Sequence, residues 1–297
     1  MQKIQLHLWY DTQAAQAVTF YTGIFPNSSV DAQSVIPDTP SGNAEILTFT
    51  IANVTFQTIS GGPYFKLNPS ISLSVLCQTP EEVDRYWNKL IVGGEVLMPL
   101  DRYPFSKRYG WLKDQFGLTW QIMHTEAPTT QKIVPNLLFS GEQAGKAEEA
   151  LRFYADAFEN SRLSHLNHYR AGEVPNPKAK LKHGAFTLEG LQMTAMDDAM
   201  ETDIAFNEAL SIIVSCKDQE EIDLLWQRLS ASPEHEQCGW LKDKYGLSWQ
   251  IVPEDMDALM CDDKGNYIPS VTQVMLEMKK LDIQALKDAR KKSATQR

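Results

Sequence analysis

Cysteine is scarce in this chain: Cys77, Cys216, Cys238 and Cys261 are the only four in 297 residues. No two of them form a CxxC pair, which excludes a zinc knuckle and a thioredoxin-type motif. Cys77 and Cys216 fall at equivalent places at the ends of apolar strands, where a thiol acts as a small buried hydrophobe. Positive charge is in deficit, with 28 Lys and Arg against 38 Asp and Glu and a net charge of -10. A basic face able to grip a nucleic-acid backbone is therefore not expected. The one basic run, around Lys279, Lys280, Lys287, Arg290, Lys291 and Lys292, alternates with apolar residues and reads as a solvated helix face. No apolar stretch approaches the ~20 residues of a membrane span, and MQKIQLHLWYD at the N-terminus lacks a signal-peptide core. The expectation is a cytoplasmic protein without nucleic-acid or membrane partners. No two glycines stand at i and i+2, so the GxG turn of dinucleotide-binding and S-adenosylmethionine-binding folds is missing.

What the chain has in quantity is self-similarity, which must be recognised before any element is assigned. GWLKDQFGLTWQI, Gly110 to Ile122, returns as GWLKDKYGLSWQI, Gly239 to Ile251, with three of thirteen positions changed. FYTGIFPNS at Phe20 to Ser28 returns as FYADAFENS at Phe153 to Ser161, and LCQTPEEVDRYW at Leu76 to Trp87 as SCKDQEEIDLLW at Ser215 to Trp226. The offset between copies runs 133, 139 and 129 along these blocks. Copy two thus carries extra residues around Val174 to Lys180, and copy one an excess of ten between Trp87 and Gly110. The domains are placed at 1–126 and 132–254, with a helical tail over 255–297.

Hydrophobic spacing predicts strand, helix and further strands twice in each copy, an α+β pattern. Ile4 to Tyr10 and Ile133 to Phe139 read as strands, and Thr12 to Phe25 and Glu142 to Phe158 as helices. Leu47 to Ile59 reads as a strand pair broken at Asn53, and Phe186 to Met196 as one broken at Gly190. Helices over Thr79 to Leu90 and Asp218 to Leu229 open on N-capping Thr79 and Asp218. In the tail a loop from Asp262 to Pro269 precedes one helix from about Ser270 to Arg290.

HLWYD at His7 to Asp11, FYTGIFPNS, GGPYFKLNPSISL and GWLKDQFGLTWQI together resemble the PhnB-like branch of the vicinal oxygen chelate superfamily. That superfamily includes glyoxalase I, bleomycin-resistance proteins and ring-cleaving dioxygenases. The resemblance covers nearly the whole chain twice. It implies tandem domains, each of two βαβββ modules forming a curved mixed-sheet cup. It also implies that the copies pair, within the chain or in a homodimer. Members of this branch often carry the name 3-demethylubiquinone-9 3-methyltransferase, to which the missing GxG turn lends no support.

In metal-dependent members the cup holds a divalent ion on His and Glu side chains from four strands, where it stabilises developing enolate or oxyanion charge. Those positions fall on His7 and Asn136, near Gln57 and near Thr194, on Ser70 or Ser72 and Ala209 or Ser211, and on Gln121 and Gln250. One histidine among amides and hydroxyls is a poor set for such an ion. The favoured expectation is a protein that binds a small organic molecule without a catalytic metal. The alternative is a glyoxalase-like isomerase, lyase or transferase, using a divalent ion or His7 as acid or base. His7, Gln57, Ser72, Gln121, Asn136, Ser211 and Gln250 are the candidate ligand-binding residues. Arg102 joins them from MPLDRYPFSKRYGW, the copy-one excess, which reads as an extended hairpin at the interface between copies or as a lip over the cup. His165 and His168, three apart in a strand, point to opposite faces and are not expected to share a metal.

Overall fold

Four strand–helix–strand modules follow one another in the computed structural model, which describes residues 2–39, 41–262 and 265–295. The first runs β1 (Ile4–Tyr10), α1 (Ala14–Ile24), β2 (Ser29–Thr39), β3 (Gly42–Ile51) and β4 (Val54–Ser60). The second runs β5 (Ile71–Cys77), α2 (Pro80–Leu90), β6 (Glu95–Tyr103), β7 (Ser106–Lys113) and β8 (Thr119–His124). The third runs β9 (Ile133–Phe139), α3 (Ala147–Ala157), β10 (Arg162–His168), β11 (Leu181–Leu188) and β12 (Leu191–Asp197). The fourth runs β13 (Leu210–Cys216), α4 (Gln219–Leu229), β14 (Trp240–Lys242) and β15 (Ser248–Pro253). Only two strands follow its helix, because copy two is ten residues shorter there. A 3-10 turn at Pro233–His235 and the three-residue β14 stand in place of a long hairpin.

Local chemistry sets these boundaries. The Thr79 side chain accepts the N–H of Glu82 at 3.2 Å, and that of Asp218 the N–H of Glu221 at 2.9 Å, capping α2 and α4. Ala52-Asn53 and Glu189-Gly190 both hold positive φ at their two central residues. That turn geometry matches the twist of the strands it joins. The extra residues of copy two lie in the 3-10 turn Gly141–Gln143 before α3, in the β10–β11 loop and in the connection from β12 to β13. Strands β2 and β6 escape the hydrophobic pattern because both are edge strands with mostly exposed residues.

Modules pair across the copies within the one chain. A seven-stranded sheet runs β14-β15-β13-β1-β4-β3-β2, and an eight-stranded one β10-β11-β12-β9-β5-β8-β7-β6. The joints are antiparallel: β1 on β13, with His7 opposite Ser211, and β5 on β9, with Ser72 opposite Asn136. Each curved sheet therefore draws one module from each copy. Neither copy owns a cup by itself.

Along β1, Ile4, Leu6, Leu8 and Tyr10 pack into the core with Ala14, Ala17, Val18 and Tyr21 of α1. Gln5, His7 and Trp9 turn to the opposite, cup face by the strand's period of two. The identical GWLKD segments of the two copies have a structural reason. Asp114, 2% exposed, accepts four hydrogen bonds: from the N–H groups of Phe116 (2.8 Å) and Leu118 (3.1 Å), the Trp120 indole (2.8 Å) and the Tyr21 hydroxyl (2.9 Å). Tyr21 belongs to the module in the other sheet, so this carboxylate ties the two sheets together. Asp243 repeats the arrangement with Tyr245, Leu247, Trp249 and Tyr154. Burial pushes the Asp114 carboxyl up to about 6 against the pull of its four donors, and raises Asp243 for the same reason. Cys77 and Cys216 are fully buried, their thiols pushed up to about 12 by burial.

The tail forms α5 (Met256–Met260), α6 (Pro269–Leu276) and α7 (Ile283–Thr295). Two helices stand where one is expected, because the chain breaks to bury Leu281 and starts again on Asp282, whose carboxylate accepts the N–H of Ala285 at 2.9 Å. Residues 263 and 264 of the expected loop lie outside the described residues. Among the described residues no helix is long and apolar enough to cross a membrane.

Candidate functional site

On the cup face of the seven-stranded sheet, His7 stands between its register partners Gln57 of β4 and Ser211 of β13. Gln250 of β15 donates from Nε2 to Ser211 Oγ at 3.0 Å. The Trp240 indole of β14 meets the His7 ring edge-on, with centroids 5.4 Å apart. Trp9 meets Trp240 at 6.4 Å and Phe65 at 5.1 Å. Its indole N–H donates to the Gly62 carbonyl at 2.8 Å. Gly61 is required here, since a Cβ would lie 2.3 Å from the Trp9 ring. His7 is 3% exposed, and its Nδ1 is buried without a hydrogen-bond partner. Burial pushes its imidazole down to about 3, so it is neutral at pH 7.

The eight-stranded sheet presents a matching floor. Asn136 of β9 lies between Ser72 of β5 and Thr194 of β12. The Thr194 hydroxyl donates to Asn136 Oδ1 at 2.9 Å, Gln121 Nε2 of β8 to Ser72 Oγ at 2.7 Å, and the Tyr109 hydroxyl of β7 to Gln121 Oε1 at 3.0 Å. The Trp111 indole N–H, on the strand beside Gln121, is buried without a partner. Tyr103, Phe105 and Tyr109 form an aromatic cluster at the hairpin tip, with centroids 5.0 to 5.6 Å apart.

Seven of the eight candidate residues thus fall on the two floors, and the structure selects Ser72 and Ser211 over Ser70 and Ala209. The latter two precede their strands, and their carbonyls accept the N–H groups of Leu138 and Trp9. Arg102 is exposed on edge strand β6, apart from both floors. Its hairpin is a sheet edge, not an interface between copies, because β5 and not β6 pairs with the other copy. His165 and His168 diverge as alternation requires. The His165 ring lies 6.5 Å from that of His183, while His168 Nε2 contacts Glu148 Oε2 at 2.5 Å.

Sequence reasoning missed Trp240, Trp111 and Tyr109. The signal was the constant spacing from GW to WQ, which sets each tryptophan opposite a glutamine once the turn is formed. A cleft of about 560 Å³ opens beside the first floor, lined by Tyr10, Asp11, Lys66 and Phe116 and sharing only Trp9 and Phe65 with the surroundings of His7.

The divalent ion implied by the fold does not fit these residues. The eight ligand positions offer one desolvated imidazole, amides and hydroxyls, several already bonded to one another, and no carboxylate. Divalent ions in catalytic sites are held by imidazole, carboxylate or thiolate. Among the described residues no three His, Cys, Asp or Glu side chains gather into a metal site.

The family described as 3-demethylubiquinone-9 3-methyltransferase matches the chain twice, over residues 2–123 and 131–252. A solved structure of a putative 3-demethylubiquinone-9 3-methyltransferase, the PhnB protein from Bacillus cereus, is 36% identical, with 42% of this chain and 100% of that chain covered and a TM-score of 0.39. Glyoxalase I from Zea mays is 10% identical, with 84% and 92% covered and a TM-score of 0.51, a likeness of fold. A mutant of the fosfomycin resistance protein FosX from Listeria monocytogenes, complexed with Mn(II) and 1S,2S-dihydroxypropylphosphonic acid, is 18% identical, with 42% and 90% covered and a TM-score of 0.32. No curated protein matches. With its family matched in both halves and its four modules paired across two sheets, the chain belongs to the family described as 3-demethylubiquinone-9 3-methyltransferase, in the vicinal oxygen chelate superfamily, and carries that family's domain twice.

Proposed function

We propose that this protein binds a small, uncharged organic molecule in a cup without a catalytic metal, the cup of His7 foremost. The observation that supports this is the buried Nδ1 of His7, left without a partner in a floor of neutral side chains. Buried polar nitrogens are almost always hydrogen-bonded, and a molecule in the cup would supply the missing bond. His7, Gln57, Ser211 and Gln250 are uncharged, and the Lys242 on the same face of β14 is already paired with Glu208 at 2.9 Å, so a charged ligand would lose its hydration there with little compensation. Trp9 and Trp240 add flat apolar walls, which suit a planar molecule. A general-base role for His7 draws no support, because a base titrating near 3 takes up little of a proton at neutral pH. The methyltransferase in the family's description is not part of this proposal. The cytoplasm is its proposed setting, which the free state of all four cysteines favours.

Elemental analysis of protein purified without chelator, together with melting curves in added Ni, Zn, Mn and Fe, tests the metal half. We expect far less than one equivalent of metal and no shift; a stoichiometric ion would overturn the proposal. The ligand half is tested by a melt screen of small planar compounds. Binding at a hundredfold excess over Kd adds about 2.7 kcal/mol, several degrees in Tm for a chain of this size. That shift should disappear in His7→Ala.

A further inference from the structure

We propose that the cleft beside the His7 cup is a second binding site, and that it takes a small aromatic zwitterion, the class to which free aromatic amino acids belong. The site and the charge of its ligand both differ from those of the cup, so the proposal stands on its own observations.

The cleft opens where three segments of copy one meet: the end of β1, the β4–β5 loop and the β7–β8 turn. Its volume of about 560 Å³ falls in the range of small-molecule sites. Buried Tyr10 and half-buried Trp9, Phe65, Leu67 and Phe116 line it with apolar surface. The rings of Tyr10 and Phe116 meet edge-on with centroids 6.3 Å apart, and those of Trp9 and Phe65 at 5.1 Å. Such rings suit an aromatic partner, which can stack on one or meet its edge. Gly94 adds bare backbone to the wall, and a Cβ there would lie 2.3 Å from the Lys113 carbonyl.

The cleft also carries charge of both signs. Glu95 and Lys113 pair with each other at 2.5 Å. The Asp114 carboxylate is taken up by its four donors. Asp11 and Lys66 remain, both exposed, and neither forms an ion pair among the described residues. A ligand with an ammonium and a carboxylate meets both, and one with a single charge meets only one.

Copy two closes the equivalent place with its own side chains. The two β-loops correspond: Asn68 Nδ2 donates to the Ala205 carbonyl at 2.9 Å, and Asn207 Nδ2 to that of Lys66 at 3.0 Å. Phe206 stands where copy one has Leu67, and its ring packs on Phe139 at 5.2 Å, which meets Tyr245 at 6.0 Å. Tyr245, the counterpart of Phe116, donates its hydroxyl to Glu149 Oε1 at 2.7 Å. Ser140, the counterpart of Asp11, is buried and hydrogen-bonded to Asp198 and Thr202, and Ala205 replaces Lys66. An aromatic ring of the chain thus packs in copy two where copy one leaves a space, and the two free charges are gone with the space.

The test is calorimetric titration of the full-length protein with L-phenylalanine, 2-phenylethylamine and 3-phenylpropanoate. Phenylalanine should bind at least about threefold more tightly than either analogue, each of which lacks one charge. Asp11→Asn should weaken phenylalanine and phenylethylamine by about threefold and leave phenylpropanoate unchanged. Lys66→Gln should weaken phenylalanine and phenylpropanoate and spare phenylethylamine. Both side chains are exposed, so neither change disturbs the fold. Leu67→Phe, which installs the copy-two residue, should remove binding of all three. His7→Ala should change none of these affinities, which separates the cleft from the cup. The proposal is overturned if no probe binds up to about 10 mM, if the order of affinities is indifferent to Asp11→Asn and Lys66→Gln, or if His7→Ala abolishes binding.

Discussion

Replacing Asp114 by asparagine is expected to lower the unfolding free energy by about 3 kcal/mol, with a similar loss for Asp243→Asn. The carboxylate of Asp114 accepts from four donors, two on each oxygen. An asparagine keeps one oxygen and turns an NH2 toward the other pair. If the amide oxygen stays with the turn, the NH2 confronts the Trp120 indole and the Tyr21 hydroxyl. Tyr21 can rotate its proton toward Tyr10, whose hydroxyl lies 3.0 Å away. The indole has no such freedom. A buried donor left unpaired costs about 1–3 kcal/mol, and two donors facing each other cost more. Because this carboxylate joins α1 of one sheet to the β7–β8 turn of the other, the loss should be global and not confined to the turn. Tyr21→Phe should cost about 1 kcal/mol alone and add less than that to Asp114→Asn, since both remove one network. Urea unfolding of the four proteins of that cycle measures both quantities. A loss under about 1 kcal/mol for Asp114→Asn would show that the repeated WLKD segment is not held for stability.

The second large effect is a pH dependence carried by His7. Its folded-state imidazole is pushed down to about 3 by burial, whereas an unfolded histidine titrates near 6.5. As pH falls below about 6.5 the unfolded chain takes up a proton that the folded chain refuses, so stability is lost progressively down to about pH 3. By pH 5 the loss from this one residue is about 2 kcal/mol. His7→Asn, which installs the residue that Asn136 supplies in the second cup, should not show it. The comparison to make is the stability of wild type minus variant, since other titrating groups cancel in the difference. That difference should shift by about 2 kcal/mol between pH 7 and pH 5, against wild type. An unchanged difference would mean that water or a ligand already satisfies the imidazole, and that the site is wetter than its 3% exposure indicates.

Much of the local structure was legible because its causes are local. The period-two apolar pattern of Ile4, Leu6, Leu8 and Tyr10 predicts a strand with His7 on the other face, and the structure places it there. Thr79 and Asp218 announce their helices by capping them. The sequence reads the tail as one helix, because the burial that breaks it, Leu281 packing beside Gly239, involves a residue 42 positions away. Edge strands β2 and β6 carried no clear apolar pattern because little of either is buried. The hairpin around Arg102 was legible as a hairpin, but its position at the sheet edge was not.

The candidate site was half legible. Each floor residue could be placed on a strand, and alternation gave its face. That Gln121 bonds to Ser72, or that Trp240 stands edge-on to His7, depends on strands brought together from distant parts of the chain. The repeated GWLKD illustrates the same boundary. Its identity in both copies marks it as important, while the role of Asp114 emerges only from Tyr21, 93 positions earlier, which donates to it.

By itself the sequence determined the duplication, the kind and order of most elements, the face on which His7 and the glutamines lie, and the want of carboxylates at the cup positions. All of these follow from residue identity and short-range periodicity. Only the tertiary structure decided that β1 pairs with β13 and β5 with β9, so that each cup is shared between copies. It likewise decided that His7 Nδ1 has no partner. The physical reason is that these outcomes turn on which surfaces are buried against each other. Two copies of one pattern offer equivalent apolar edges for pairing within a copy or between copies, and the long-range packing of α1 and α3 between the sheets selects one arrangement.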